Sequence, residues 1–239
     1  MRLNTRIHSI ALAALLLSQA PLLHAQTVDP AGHYEGTVSS PAGEMTLEID
    51  LSRTADGQLA GTLTVPAQKL KGFPLTNVVV KGKDVSFDIA TSGGGYFRGE
   101  LDEKGIAGEF STPMGAVLLD FERGGAAHLY ALPASKAIGK ELEGQWKGTL
   151  DVDGGMRVIV NLANQADGTS SGKFVSVDEN NLSVPVVITQ DGPKVTLTLP
   201  MIGGSYVGTV NAAGSEVSGT YTTSRGLALP LALKRSATN

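Results

Sequence analysis

Only two histidines lie beyond residue 25, His33 and His128, so any search for acid–base or metal-assisted chemistry starts from a short supply. Histidine is the side chain whose ordinary pKa suits proton transfer near neutrality, and zinc sites draw their nitrogen ligands from it. The stretch 143–239 contains no histidine. A Ser-His-Asp triad confined to it is therefore impossible, and a multi-histidine metal site is not expected anywhere in the chain. The Gly-x-Ser-x-Gly run from Gly168 to Gly172 lies in a strand-like stretch with no helix after it, so it is not a nucleophile elbow. Ser170 and Lys173 have the Ser-x-x-Lys spacing, but in a strand-like run between turn residues, whereas that pair works at the start of a buried helix. No glycine-rich phosphate loop leads from a strand into a helix, which disfavours nucleotides.

Carboxylates and aromatics remain. Glu48, Asp50, Asp84, Asp88, Glu100 and Glu109 fall mostly at the polar phase of alternating runs. That places them on a wet outer face rather than in the facing pair that glycosidic chemistry needs. Asp151, Asp153 and the 178–181 loop offer oxygens suited to calcium, without the spacing of an EF-hand. The expectation is no catalytic residue, no metal and no cofactor. Tyr34, Tyr96, Trp146 and Tyr206 are the candidate ligand-binding residues, because an aromatic beside a strand glycine leaves room for an apolar or sugar ligand at a barrel mouth. The competing assignment for all four is barrel core.

The elements that would position these residues come from an internal repeat. Gly32, Tyr34 and Gly36 match Gly144, Trp146 and Gly148; Met45 to Leu51 answers to Met156 to Leu162; Asp56-Gly57 answers to Asp167-Gly168. Tyr96 pairs with Tyr206, Phe110 with Tyr221, and Glu122-Arg123 closes the first copy as Lys234-Arg235 closes the second. Runs such as Met45, Leu47, Ile49, Leu51 against Thr46, Glu48, Asp50 alternate with period two, the pattern of a sheet with one buried face. Asp-Gly and Lys-Gly turns separate about eight such runs per copy, with no connection long enough for helices between strands. The fold class is all-β: two tandem antiparallel meander barrels, lipocalin-like in outline, over 26–126 and 143–239. Matching the two tyrosines leaves one extra residue before Gly99, which calls for a β-bulge near Phe97-Arg98. The linker, 127–142, could form one short helix over 133–142, and its Leu129, Tyr130 and Leu132 should pack on a barrel rather than tether freely.

Residues 1–25 have the charged, apolar and small-residue succession of a cleaved secretory signal, with Arg2 and Arg6, the run from Ile10 to Leu17, and Ala25. That apolar run is shorter than the roughly 20 residues of a spanning helix, so no membrane anchor is expected in the mature form. With no cysteine, the fold has no disulfide support. Beyond residue 25 there are 17 basic and 23 acidic residues, a formal charge of −6, without a basic cluster to track phosphates, so nucleic acid is not an expected partner. The copies differ: residues 32–124 carry −5 and residues 143–235 carry −1.

Gly144, Trp146 and Gly148, the Asp167-Gly168 turn, the strand with Gly204, Tyr206 and Gly208, and the ending from Gly219 and Tyr221 through Leu229 to Arg235 resemble a β-rich accessory repeat. It stands ahead of the catalytic domain in some exported bacterial α/β-hydrolases and related serine hydrolases. The resemblance covers both copies. The family's Ser-x-x-Gln-Gly segment and later Gln are replaced here around Gln68 and Asn180 and by Thr112 and Thr223. The resemblance implies an accessory subunit acting with a separately encoded exported hydrolase. The residues themselves favour a non-catalytic periplasmic or secreted binding module for a small apolar or glycan ligand, and a cryptic hydrolase is the weaker third reading. Intact-mass measurement of exported protein should find a chain beginning at Gln26; a mature fraction that retains residues 1–25 would contradict the signal.

Overall fold

The computed structural model describes residues 28–40, 43–89, 94–152, 154–179 and 181–236; the signal and its cleavage point lie outside them. Strands β1 (Gly32–Ser40), β2 (Gly43–Arg53), β3 (Leu59–Val65), β4 (Leu70–Lys81), β5 (Asp84–Ile89), β6 (Gly95–Leu101), β7 (Gly105–Thr112) and β8 (Gly115–Gly125) pair in sequence order, and β8 returns to β1 to close a barrel. A two-residue strand, β9 (Ser135–Lys136), precedes the second barrel. That barrel is built from β10 (Gly144–Leu150), β11 (Met156–Asn164), β12 (Thr169–Ser176), β13 (Leu182–Asp191), β14 (Lys194–Leu199), β15 (Gly204–Val210), β16 (Glu216–Thr222) and β17 (Ala228–Arg235). It closes between β10 and β17. Both barrels are antiparallel eight-strand meanders, as the alternation implies.

Alternation sends one face of each strand inward. Leu47, Ile49 and Leu51 of β2 and Val158, Val160 and Leu162 of β11 are buried at matching places. The first core is knit by Phe97, stacked on Phe87 at 4.9 Å and edge-on to Phe121 at 5.5 Å. Glycine is required where strands come closest. Gly99 lies opposite Gly108, and Gly208 opposite Gly219. A Cβ on Gly108 or Gly219 would sit 2.2 Å from the carbonyl oxygen of Arg98 or Val207, respectively. Only glycine lets the two backbones approach this far.

Two expectations need correction. No bulge occurs at Phe97-Arg98: the β5–β6 register runs unbroken from Ile89 opposite Gly95 to Asp84 opposite Glu100. Gly95 corresponds to Gly204 and Gly99 to Gly208, so Phe97, not Tyr96, takes the inward place of Tyr206 and no residue is extra. The register shifts of β4 lie elsewhere, between Leu63 and Val65 of its partner β3 and between its own Thr76 and Val79. The second correction is the linker helix. Residues 133–142 form no helix; β9 adds to the edge of β12 through Lys136 opposite Thr169 and Ser135 opposite Ser170. The Ser135 hydroxyl accepts from the Ile188 amide and the Lys136 carbonyl accepts from the Ser170 hydroxyl. A segment this short cannot offset the cost of helix nucleation, so tertiary pairing wins. As expected the linker is no free tether, although Ile138 and Leu142 are the residues that enter the second core while Leu129 stays 80% exposed.

Each barrel is latched at its closing seam by an arginine from its last strand lying over the aromatic of its first. Arg123 lies 4.9 Å from the Tyr34 ring centre and donates to the carbonyls of Ala31 and Asp29 and to the Tyr34 hydroxyl. Arg235 lies 4.4 Å from the Trp146 ring and donates to the carbonyls of Glu143, Glu141 and Gly214. The Nε of Arg123 is buried without a partner, whereas that of Arg235 is bonded. Charge-assisted hydrogen bonds contribute about 1.5–3 kcal/mol each and a partly desolvated cation–π contact about 1 kcal/mol, without full additivity. Arg235→Ala should therefore cost on the order of 3 kcal/mol in urea unfolding, and Arg123→Ala less. Equal losses below about 0.5 kcal/mol would show that the latches do not hold the barrels shut.

Candidate functional site

The four aromatics nominated from sequence divide. Tyr34, Trp146 and Tyr206 are buried core. The Tyr34 hydroxyl donates to the Pro30 carbonyl at 2.7 Å, the Trp146 indole N–H to the Leu142 carbonyl at 2.8 Å, and the Tyr206 hydroxyl is shared between the carbonyls of Val217 at 2.9 Å and Leu231 at 3.2 Å. Burial pushes the Tyr206 phenol well above its ordinary pKa. Tyr96 points outward, 45% exposed, beneath the Arg98 guanidinium. The barrels are thus filled at these positions, and none of the four lines the cavities described below.

A cavity set into a barrel lies at the mouth of the second, the end away from Trp146. Its volume is about 300 Å³. Leu150, Met156, Phe174, Leu182 and Tyr221 form its apolar wall, with Ser176, Thr223 and Ser224 among its polar groups. Phe174 and Tyr221 stack at 5.6 Å, and burial, aided by the negative charge of Glu179, raises the Tyr221 pKa. The cover comes from the first barrel. Leu70 and Phe73 of β4 also line this space, and Phe73 belongs to the core of the second barrel. A short 3-10 turn (Pro66–Gln68) brings β4 there, and the Lys71 amide donates to the Met201 carbonyl at 2.9 Å. This cavity lies at a barrel mouth, and the aromatics that line it, Phe174 and Tyr221, are not among the four nominated from sequence. Tyr221 carried a usable signal, as the repeat partner of Phe110; for Phe73 there was none, because its contacts lie in the other copy.

A larger cavity, about 610 Å³, is an open groove on the outer face of the second barrel, where β10 and β17 part beyond Lys147 and Lys234. Lys147, Arg157 and Lys234 give it a basic lining, but Arg157 is held by Asp178 through paired hydrogen bonds. Asp178 is thereby engaged with a cation rather than presented to calcium. Ser170 is buried with its hydroxyl bonded to a backbone carbonyl, and Lys173 leaves the strand on the opposite face, so the Ser-x-x-Lys spacing makes no pair.

The two histidines, far apart in the sequence, are brought together in the fold. His33 of β1 lies directly across from Asp50 of β2, and its Nδ1 is 2.9 Å from Asp50 Oδ1. Its Nε2 is 3.1 Å from Glu35 Oε1. Just past β8 the chain folds over this pair, bringing the His128 backbone N–H to Asp50 Oδ1 at 2.6 Å and its ring to 4.1 Å from that of His33. His33 and Asp50 are buried, although alternation had put Asp50 on a wet face. Burial disfavours the charged imidazole, but the hydrogen bonds and charges of Asp50 and Glu35 outweigh it and hold the His33 pKa above its ordinary value.

No family model matches the chain, and no curated protein matches it. Among solved structures it is similar to a protein of unknown function from the DUF3598 family of Nostoc punctiforme PCC 73102, at 13% identity over 88% of this chain and 97% of that one, with a TM-score of 0.27. It is also similar to a candidate outer membrane protein of Bacteroides fragilis NCTC 9343, at 16% identity over 86% and 97%, with a TM-score of 0.28. At these values neither likeness says what this chain does.

Proposed function

We propose that this chain is an exported, non-catalytic binding module that holds a small apolar molecule at the mouth of its second barrel, with the first barrel as the cover. The observation that carries the reading is the apolar cavity of about 300 Å³ walled by Phe174, Tyr221, Met156 and Leu182 and roofed by Leu70 and Phe73. Its size is at the lower end for ligand pockets, which suits a short acyl chain or one ring system. Burying roughly seven methylenes at about 0.8 kcal/mol each corresponds to a dissociation constant near 100 µM. Export rests on the N-terminal succession; among the described residues no helix is long and apolar enough to cross a membrane.

A second reading, the accessory subunit of an exported hydrolase, draws support from another surface. Met114 is 97% and Leu118 82% exposed on the β7–β8 hairpin, with Tyr96 on neighbouring β6. Apolar side chains gathered at one end of a barrel suit a protein partner.

Trp146 does not touch the mouth, since three strand residues, a rise of roughly 13 Å, separate it from Leu150. A dansylated medium-chain fatty acid should instead brighten on binding and be displaced by decanoate but not by short glycans. Met156→Trp, which fills the cavity, should weaken binding at least tenfold at unchanged secondary structure. Identical binding by that variant, or no binding by the mature chain, would refute the site. Aryl ester turnover should stay at the buffer rate; turnover lost in Ser170→Ala would instead establish a hydrolase.

A further inference from the structure

We propose that His33, Asp50 and His128 form a binding site for one divalent transition-metal ion, zinc fitting best, at the place where the chain leaving β8 crosses the first barrel. This site is independent of the barrel mouth. Two imidazole nitrogens and one carboxylate oxygen are a donor set for zinc and its neighbours, whereas calcium and magnesium select oxygen ligands.

The spacing fits. In a tetrahedral zinc site with bonds of about 2.0–2.1 Å, ligand atoms stand roughly 3.4 Å from one another. Asp50 Oδ1 is 2.9 Å from His33 Nδ1 and 3.9 Å from His128 Nδ1, and the three ligand atoms all lie within 4.8 Å of one another. The adjustment needed is under an ångström at each of the two measured separations. A turn of the His128 side chain, 72% exposed, would shorten the longer separation, and a small rotation of the His33 ring or the Asp50 carboxylate on their paired strands would lengthen the shorter one.

The surroundings are those that metal-binding histidines need. Glu35 Oε1 accepts from His33 Nε2, which fixes the ring and leaves Nδ1 for the ion, the carboxylate–histidine–metal arrangement. The Asp50 carboxylate is aimed by the His128 backbone N–H. The ion takes the place of the Nδ1 proton: two carboxylates, Asp50 and Glu35, face one imidazole, and a dication beside neutral rings balances them. The exposed side of His128 leaves a fourth position for water. Because His128 belongs to the segment that also sets Tyr130 under Lys71, a bound ion would pin that segment to the barrel.

The test is calorimetric titration of tag-free, chelator-treated mature protein with zinc chloride at pH 7.5, with cobalt(II) absorption as a second reading of coordination. One ion per chain is expected, with a tetrahedral cobalt spectrum and no heat from calcium or magnesium. His128→Ala removes an exposed ring but keeps the backbone bond to Asp50; it should leave the metal-free melting temperature unchanged and weaken zinc binding at least tenfold. Glu35→Gln should cost about tenfold through the orientation of His33. Zinc should raise the melting temperature of the wild type and fail to do so in His128→Ala. Absence of stoichiometric binding, or equal affinity in wild type and His128→Ala, would mean that His33 serves only as an ion-paired clamp and would overturn the site.

Discussion

Closing an eight-strand sheet on itself requires the first and last strands to find each other across the whole length of the repeat, and this closure is where the fold is most exposed to failure. In the second barrel β10 and β17 meet through only two residue pairs, Trp146 with Arg235 and Lys147 with Lys234. The arginine makes up the deficit. Its stem and guanidinium cover the Trp146 ring while its N–H groups satisfy carbonyls of the entering chain, so one side chain supplies both apolar cover and the hydrogen bonds that a longer ladder would have made. The first barrel has a longer closing ladder, His33 to Gly36 against Gly125 to Phe121, and a less complete latch. The two copies thus solve one problem with different shares of backbone and side-chain bonding.

Closure at that end has a consequence for where space remains inside the barrels. Tyr34, Trp146 and Tyr206 fill the barrels and use their polar atoms on backbone carbonyls, leaving no space beside them. The strands of the second barrel outrun this packed zone toward the Leu150 and Met156 end, where apolar side chains have too few neighbours of their own. Leu70 and Phe73 from the first barrel supply part of the missing cover. The copies therefore contribute differently to this cavity, the second supplying most of its walls and the first part of its cover. A single copy could not offer this arrangement, because the cover is a strand end belonging to the other.

The same closure assembles the histidine cluster. His33 opens the first barrel and His128 follows its last strand, so bringing β8 back beside β1 delivers both to Asp50. The covering segment then turns an outward-facing side of β1 into a buried one, which is why His33 is almost inaccessible although its neighbour Tyr34 is the one facing the core.

Much of this architecture was legible in the residues themselves. Period-two alternation, Asp-Gly turns and a repeat in fixed order require antiparallel hairpins, since each is a local property that neighbouring residues impose on one another. The paired glycines announced close backbone approach in the same way. What sequence could not supply were choices between equivalent local options. Tyr96 and Phe97 are both apolar enough to face inward; the register set by Gly95 and Gly99 chose Phe97. Residues 133–142 could be helix or strand in isolation, and the open edge of β12 decided. Counting histidines measured supply but not placement: two residues far apart in the chain become neighbours only when the barrel closes. Phe73 covers a cavity in the other repeat for the same reason. Contacts between distant segments depend on how the whole sheet curls and on which surfaces remain to be covered, and no local pattern encodes that.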